Sequence, residues 1–212
     1  ALPIYGRLRK KGDVGMKLVI EGMDGVGKST IAKKVAKKYH MKYVDGLLKT
    51  YFEDQGFSQD EIAAIVKGVE SFYDHKDSRI RTWIMGFANI FNLLNYQGDV
   101  VIDRHCLTTF FYNGDDQSKP LYKVMQQVAG KPDLIIILTA TSETRIQRLK
   151  HRDAADRDLQ EKKKLSDGYD QFIEAANILD VPYQLVATDQ RNEDQVFQAV
   201  CQVIDAYKQT GK

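Results

Sequence analysis

The chain has 212 residues and a formal charge of only +2, with 43% apolar and 28% charged residues. That is the length of one domain with an ordinary core, and the charge is too balanced to argue for nucleic acid or an anionic membrane. Two cysteines, Cys106 and Cys201, exclude a disulfide framework, and with no membrane-spanning apolar run and no apolar leader the expectation is a cytoplasmic protein.

Residues 1–15 mix basic residues and glycines without a period. They read as an N-terminal extension, either disordered or added to the natural chain, with Met16 as a candidate natural start and one domain over 16–212. Lys17–Glu21 is a short apolar strand. It runs into Gly22-Met23-Asp24-Gly25-Val26-Gly27-Lys28-Ser29-Thr30, where Gly22, Gly27, Lys28 and Ser29 fit the phosphate-binding spacing G-x-x-x-x-G-K-[ST]. Glycines, with Gly25 among them, let backbone N–H groups curl around a phosphate, and the helix that follows adds its positive end. Lys28 supplies a charge for the β/γ-phosphates, and the Ser29 hydroxyl can ligate Mg²⁺.

A helix then runs to about Tyr39, on a stripe of Ile31, Val35 and Ala36 among lysines. Lys42–Gly46 is a second strand ending in Asp45. Ser58 and Glu61 form a capping box ahead of another helix. Residues 78–96 form a long helix on which Trp83, Phe87, Ile90 and Leu94 recur at helical spacing, a stripe that reads mainly as core. Gly98–His105 is a buried strand meeting charge at Asp103-Arg104, where an acid can hold Mg²⁺ and an arginine can face the moving phosphate.

A helix over 119–129 precedes the apolar strand Asp133–Thr139, and Ser142 to about Lys150 is again helical. The charged stretch that follows places Arg145, Arg148, Arg152 and Arg157 within thirteen residues. Such a run can be a solvated helix face. Phosphoryl transfer, however, needs cations on the moving group with water kept out, so a mobile lid at about 150–160 is expected to bring Arg148, Arg152 or Arg157 over it. A helix over 166–179, the strand Val181–Val186 and a helix over 193–208, capped by Asn192 and Gln195, complete the chain.

Strands alternating with helices predict an α/β three-layer P-loop kinase fold: a five-stranded parallel sheet, helices on both faces, and a short mobile lid. Ligands then bind at the carboxyl ends of the strands. The guanine motif N/T-K-x-D of a GTPase is missing, which leaves a small-molecule kinase using ATP and Mg²⁺.

On these motifs the chain resembles the thymidylate kinase family of nucleoside monophosphate kinases over most of residues 16–209. Glu21-Gly22-Met23-Asp24-Gly25-Val26-Gly27-Lys28-Ser29-Thr30 is similar to that family's E-G-x-D-G-x-G-K-S-T. Asp103-Arg104-His105-Cys106-Leu107-Thr108-Thr109-Phe110-Phe111-Tyr112-Asn113-Gly114 resembles its D-R-Y-x-x-S-x-x-A-Y-Q-G. Pro132-Asp133-Leu134 matches a P-D-L segment, and Arg152 to Arg157 has the spacing of the lid R-x-x-x-D-R. The resemblance implies phosphoryl transfer to a deoxynucleoside monophosphate, dTMP or a relative. It implies Asp24 at the acceptor sugar's 3′-hydroxyl, Thr108 and Tyr112 near that sugar, Arg104 on the acceptor phosphate, and an adenine turn at Ala187-Thr188-Asp189. It also implies a homodimer formed through helices, with neither nucleic acid nor membrane as partner.

The departures lie in the acceptor half. Asp45-Gly46-Leu47-Leu48 stands where the family has an E-P-G-G turn, and Gly86 and Ile90 align with its base-stacking phenylalanine and its acceptor arginine. Phe87 and Arg81 (or Arg79) are the nearby substitutes. Two alternatives therefore stand beside the first reading: a deoxynucleoside kinase with Asp45 as base, and a nucleotide-binding regulator without transfer activity.

Overall fold

The structure is a computed structural model and describes residues 15–153, 159 and 168–210. Residues 1–14 of the expected extension, and most of the expected lid with Arg157, lie outside the described residues. Strands β1 (Lys17–Gly22), β2 (Lys42–Asp45), β3 (Val100–Asp103), β4 (Leu134–Thr139) and β5 (Tyr183–Ala187) form one parallel sheet in the order β2-β3-β1-β4-β5. Between them run α1 (Lys28–Tyr39), α2 (Lys49–Asp54), α3 (Gln59–Glu70), α4 (Ser78–Asn95), α5 (Cys106–Asn113), α6 (Lys119–Ala129), α7 (Ser142–Arg152) and α8 (Tyr169–Leu179), and α9 (Glu193–Gln209) follows β5.

The inner strands β1, β3 and β4 are apolar on both faces because both are covered, and their alternation splits the core in two. Val19, Val100, Ile102, Ile135 and Ile137 pack with residues of α4, α5, α6 and α8. Leu18, Ile20, Val101, Leu134, Ile136 and Leu138 pack with α1 and α9. The capping boxes at Ser58/Glu61 and Asn192/Gln195 form as the sequence leads one to expect. Among the described residues, no helix is long and apolar enough to cross a membrane.

Two helices escape the sequence pattern. α2 has only six residues, too few to show a period. α5 is buried on nearly every side, so its apolar residues show no stripe. The stripe on α4 has the opposite fate to the one expected: Trp83, Phe87 and Leu94 are 48%, 56% and 46% exposed. The buried face of α4 joins Met85, Ala88 and Leu93 to small and polar residues, Ser78, Thr82, Gly86, Asn89 and Asn92. Periodicity reports that a helix has an apolar face, but not what covers it.

α5 begins without a side-chain cap of its own. Glu21, fully buried at the end of β1, does that work from another element. Its Oε1 accepts backbone N–H bonds from His105 at 2.8 Å, Leu107 at 3.0 Å and Thr108 at 3.3 Å, and its Oε2 accepts the Thr108 hydroxyl. Burial pushes the Glu21 carboxyl up, and these hydrogen bonds pull it back toward the charged form.

His105 lies at the junction of α5 with α4, its Nε2 3.2 Å from the Asn89 carbonyl. It borders an apolar cavity also lined by Leu93, Met125, Ile135 and Leu179. Burial there pushes its pKa down from 6.5 to about 4. A depressed histidine is neutral in the folded chain while the unfolded chain takes up a proton, so stability is lost as pH falls from 6.5 toward about 4. Urea unfolding across this window should show wild type losing stability on acidification more steeply than His105→Gln; equal slopes would refute the assignment.

Candidate active site

Register fixes the crevice. Ile20 of β1 stands opposite Asp103 of β3, Asp103 stands opposite Asp45 of β2, and Gly22 stands opposite Leu138 of β4. The phosphate loop, the Asp103-Arg104 pair and Asp45 therefore meet at the carboxyl edge of one sheet, as such sheets require. Within the loop, Gly22 and Gly25 have φ of 137° and 85°. A Cβ at these positions would lie 2.4 Å from the Leu138 carbonyl oxygen and 2.8 Å from that of Arg145, so only glycine fits. α1 starts at Lys28 behind Gly27 with no side chain capping it, which leaves its first N–H groups for an anion. Val26 is buried in the core beneath the loop, while Ser29 and Thr30 are exposed on the first turn of α1.

Asp24 is the hub. One oxygen pairs with the Arg104 guanidinium and lies 3.7 Å from the Lys28 ammonium; the other accepts the Tyr112 hydroxyl at 2.7 Å. Burial alone would raise this carboxyl, but the Arg104 and Lys28 charges outweigh it and hold Asp24 far below the usual carboxylate range. Arg104 occupies the left-handed region with φ 74°, a strained conformation for a non-glycine residue that this ion pair and the Arg104 N–H bond to Ile20 help to hold. Lys28 lies folded onto the loop, donating to the Met23 carbonyl at 2.7 Å.

Burial, and then Arg104, bring Lys28 down from 10.5 to about 8. A bound phosphate would restore the full charge, so nucleotide binding near pH 8 takes up a proton. Titration calorimetry of ADP binding without metal at pH 8, in buffers of different ionisation enthalpy, should show that uptake in wild type and none in Lys28→Met.

Asp103 is buried, with Oδ2 accepting the Tyr43 hydroxyl at 3.0 Å and Oδ1 lacking any partner. A buried carboxylate oxygen left unpaired beside an exposed serine hydroxyl suits a hard cation bound through oxygen. Among the described residues no trio of His, Cys, Asp or Glu is placed to hold an ion by itself. Asp45, pushed up by burial with Asp103 adding to the rise, accepts the Leu47 N–H at 3.2 Å and lies 4.0 Å from Lys49.

Other expected residues fall elsewhere. Thr108 donates its hydroxyl to Glu21 and so braces α5. Phe87 lies on the exposed stripe of α4, its ring centre 6.0 Å from that of Phe91. Arg81 donates to the carbonyls of His75 and Asn113, the latter next to Tyr112. Arg148, expected in the lid, is held at the turn after β5, donating to the Thr188 hydroxyl and carbonyl, both at 2.8 Å. Thr188 in turn donates its N–H to Thr139, and Asp189 accepts from Thr141, so this turn is tied down on three sides. Arg152 ends α7 and is exposed.

Two residues escaped the sequence reading. Arg145 is wholly buried, its side chain reaching the Asp24 carbonyl at 3.5 Å; an arginine in a charged helix gives no signal of that. Tyr43 could have been found, since strand alternation puts it on the same face as Asp45.

The sequence profile described as thymidylate kinase matches residues 20–200. A thymidylate kinase of Blochmanniella floridana is 30% identical over 159 residues, covering 68% of this chain and 74% of that protein. A probable thymidylate kinase of Archaeoglobus fulgidus is 28% identical over 145 residues, covering 65% and 70%. Among solved structures, a deoxyadenosine kinase from M. mycoides superposes with a TM-score of 0.60 at 20% identity, over 90% of this chain and 99% of that one. At that identity the likeness shows the shared fold alone.

Proposed function

The chain belongs to the thymidylate kinase family and is a nucleotide kinase; on that premise we propose that it transfers the γ-phosphoryl of ATP, with Mg²⁺, to dTMP. The observation that carries the reading is the engagement of Asp24 by Lys28 from the donor side and by Arg104 and Tyr112 from the acceptor side. One loop carboxylate thereby joins the two halves of a transfer site. Lys28 and the loop N–H groups bind the β/γ-phosphates, Ser29 and Asp103 hold the cation, and the Ala187-Thr188-Asp189 turn receives adenine. Mg²⁺ held by Ser29 and Asp103 would supply positive charge against the charge that develops during transfer. Arg104, with Arg81 nearby, grips the acceptor phosphate, and Tyr112 and Asp24 orient the acceptor sugar. Arg152 and Arg157 are the lid cations for the moving phosphoryl group. Little covalent work falls to the protein, so positioning and charge lower the barrier. These substrates belong to the cytoplasm.

A second reading rests on Asp45. Its raised, partly exposed carboxyl suits a base on a nucleoside 5′-hydroxyl. A coupled assay across nucleoside monophosphates and deoxynucleosides separates the two. We expect turnover with dTMP and none with unphosphorylated nucleosides; the reverse would transfer the assignment to Asp45. ATP binding with no acceptor turned over at all would favour the regulator instead. Lys28→Ala should cost about 10²–10³ in rate while the fold is retained, checked by circular dichroism.

The homodimer forms through α4. Ile80, Trp83, Phe87, Ile90 and Leu94 follow one another at alternating spacings of three and four, a seam that pairs with a second helix. Trp83→Lys with Phe87→Lys should sediment as a monomer where wild type sediments as a dimer; a wild type that is monomeric at micromolar concentration would refute this.

A further inference from the structure

The cation side of the crevice contains one group that neither motif accounts for. Tyr43 sits on β2 two residues before Asp45, its ring packed with the cluster on the α1 face and lying under the Lys33 ammonium, 5.5 Å from the ring centre. Its hydroxyl donates to Oδ2 of Asp103 at 3.0 Å. A phenol has one proton, and here it is spent on that carboxylate.

That direction leaves free an atom a divalent cation needs. Asp103 spends Oδ2 on the Tyr43 hydroxyl and keeps the buried, unpartnered Oδ1. The donor is also of a suitable chemical type. A lysine or arginine here would neutralise Asp103 and compete with the cation, whereas a phenylalanine would leave both carboxylate oxygens unpaired in a buried site. A neutral hydroxyl on a rigid ring orients the carboxylate and leaves its charge in place.

We infer that Tyr43 is a positioning residue for the divalent cation, orienting the Asp103 carboxylate through its hydroxyl. The inference rests on the nucleotide-kinase reading and concerns the cation alone. Its test is Mn²⁺ binding, followed by electron paramagnetic resonance, to the protein saturated with ADP, alongside ADP binding in EDTA. Tyr43→Phe keeps the ring and its packing and removes only the hydroxyl. The Mn²⁺ dissociation constant should rise about tenfold, the usual scale for a group that orients a metal ligand, with ADP affinity in EDTA unchanged. In an Asp103→Asn background the same change should add little, because the hydroxyl acts through Asp103. Unchanged Mn²⁺ affinity, an equal loss of ADP affinity in EDTA, or full additivity with Asp103→Asn would each overturn the inference. Failure of the wild type to bind ADP at all would overturn the kinase reading itself, a separate and recognisable outcome.

Discussion

The Asp24–Arg104 ion pair is the constraint on which the crevice depends. Asp24 belongs to the loop after β1 and Arg104 to the residue after β3, so the pair bolts together the ends of two adjacent strands. Asp24 is buried whereas the Arg104 side chain is partly exposed, and a buried carboxylate stripped of its partners is strongly destabilising. The protein has arranged redundancy: Lys28 and Tyr112 also reach Asp24, so the carboxylate is never alone. The strained backbone at Arg104 belongs to the same arrangement, because a left-handed residue directly after the strand is how the guanidinium turns back over the loop.

A second buried carboxylate stands behind the first. Glu21 sits three residues before Asp24 and caps α5, the helix that carries Tyr112. A run of four loop residues thus contains one acid turned inward to fix a helix and one turned to the crevice to collect cations. The Tyr112 hydroxyl reaches Asp24 because Glu21 holds the start of α5 two turns earlier. Displacing Glu21 would disturb the acceptor side without touching any ligand, so loss of activity on changing it would not mark it as a catalytic group.

The legible parts of this site were those where residue type reports backbone geometry directly. Glycines at 22 and 25 are demanded by carbonyls within contact distance, and their spacing before Lys28-Ser29 announces the loop. Asp103-Arg104 was visible because an apolar run meets charge abruptly at a strand end. What stayed hidden were relations between elements. Thr108 looks like a sugar ligand until Glu21 is placed beneath it. Arg148 looks like a lid cation until the turn after β5 is folded beside it, and a strand tyrosine such as Tyr43 looks like ordinary β propensity. The α4 stripe was misread for the same reason: amphipathicity gives a direction, and the partner that covers it need not belong to the same chain.

That misreading also explains why the acceptor half departs from its family. Aligned with the family's base-stacking phenylalanine is Gly86, and a Cβ there would come within 2.1 Å of Met125 on α6. The Met125 thioether fills the space beside Gly86, so a larger residue there would have to displace that side chain. The helix therefore turns small and polar groups inward: Asn89 donates to Thr109 of α5 at 3.0 Å, and Asn92 ties the Asp45 and Gly46 carbonyls to α4. Its inner face is spent on holding α5 and the end of β2 in place, and its aromatic groups are left on the outside. That packing fixes Asp45 at the end of β2 through its carbonyl, and it sets α5 so that Tyr112 reaches Asp24 across the carboxyl edge of the sheet.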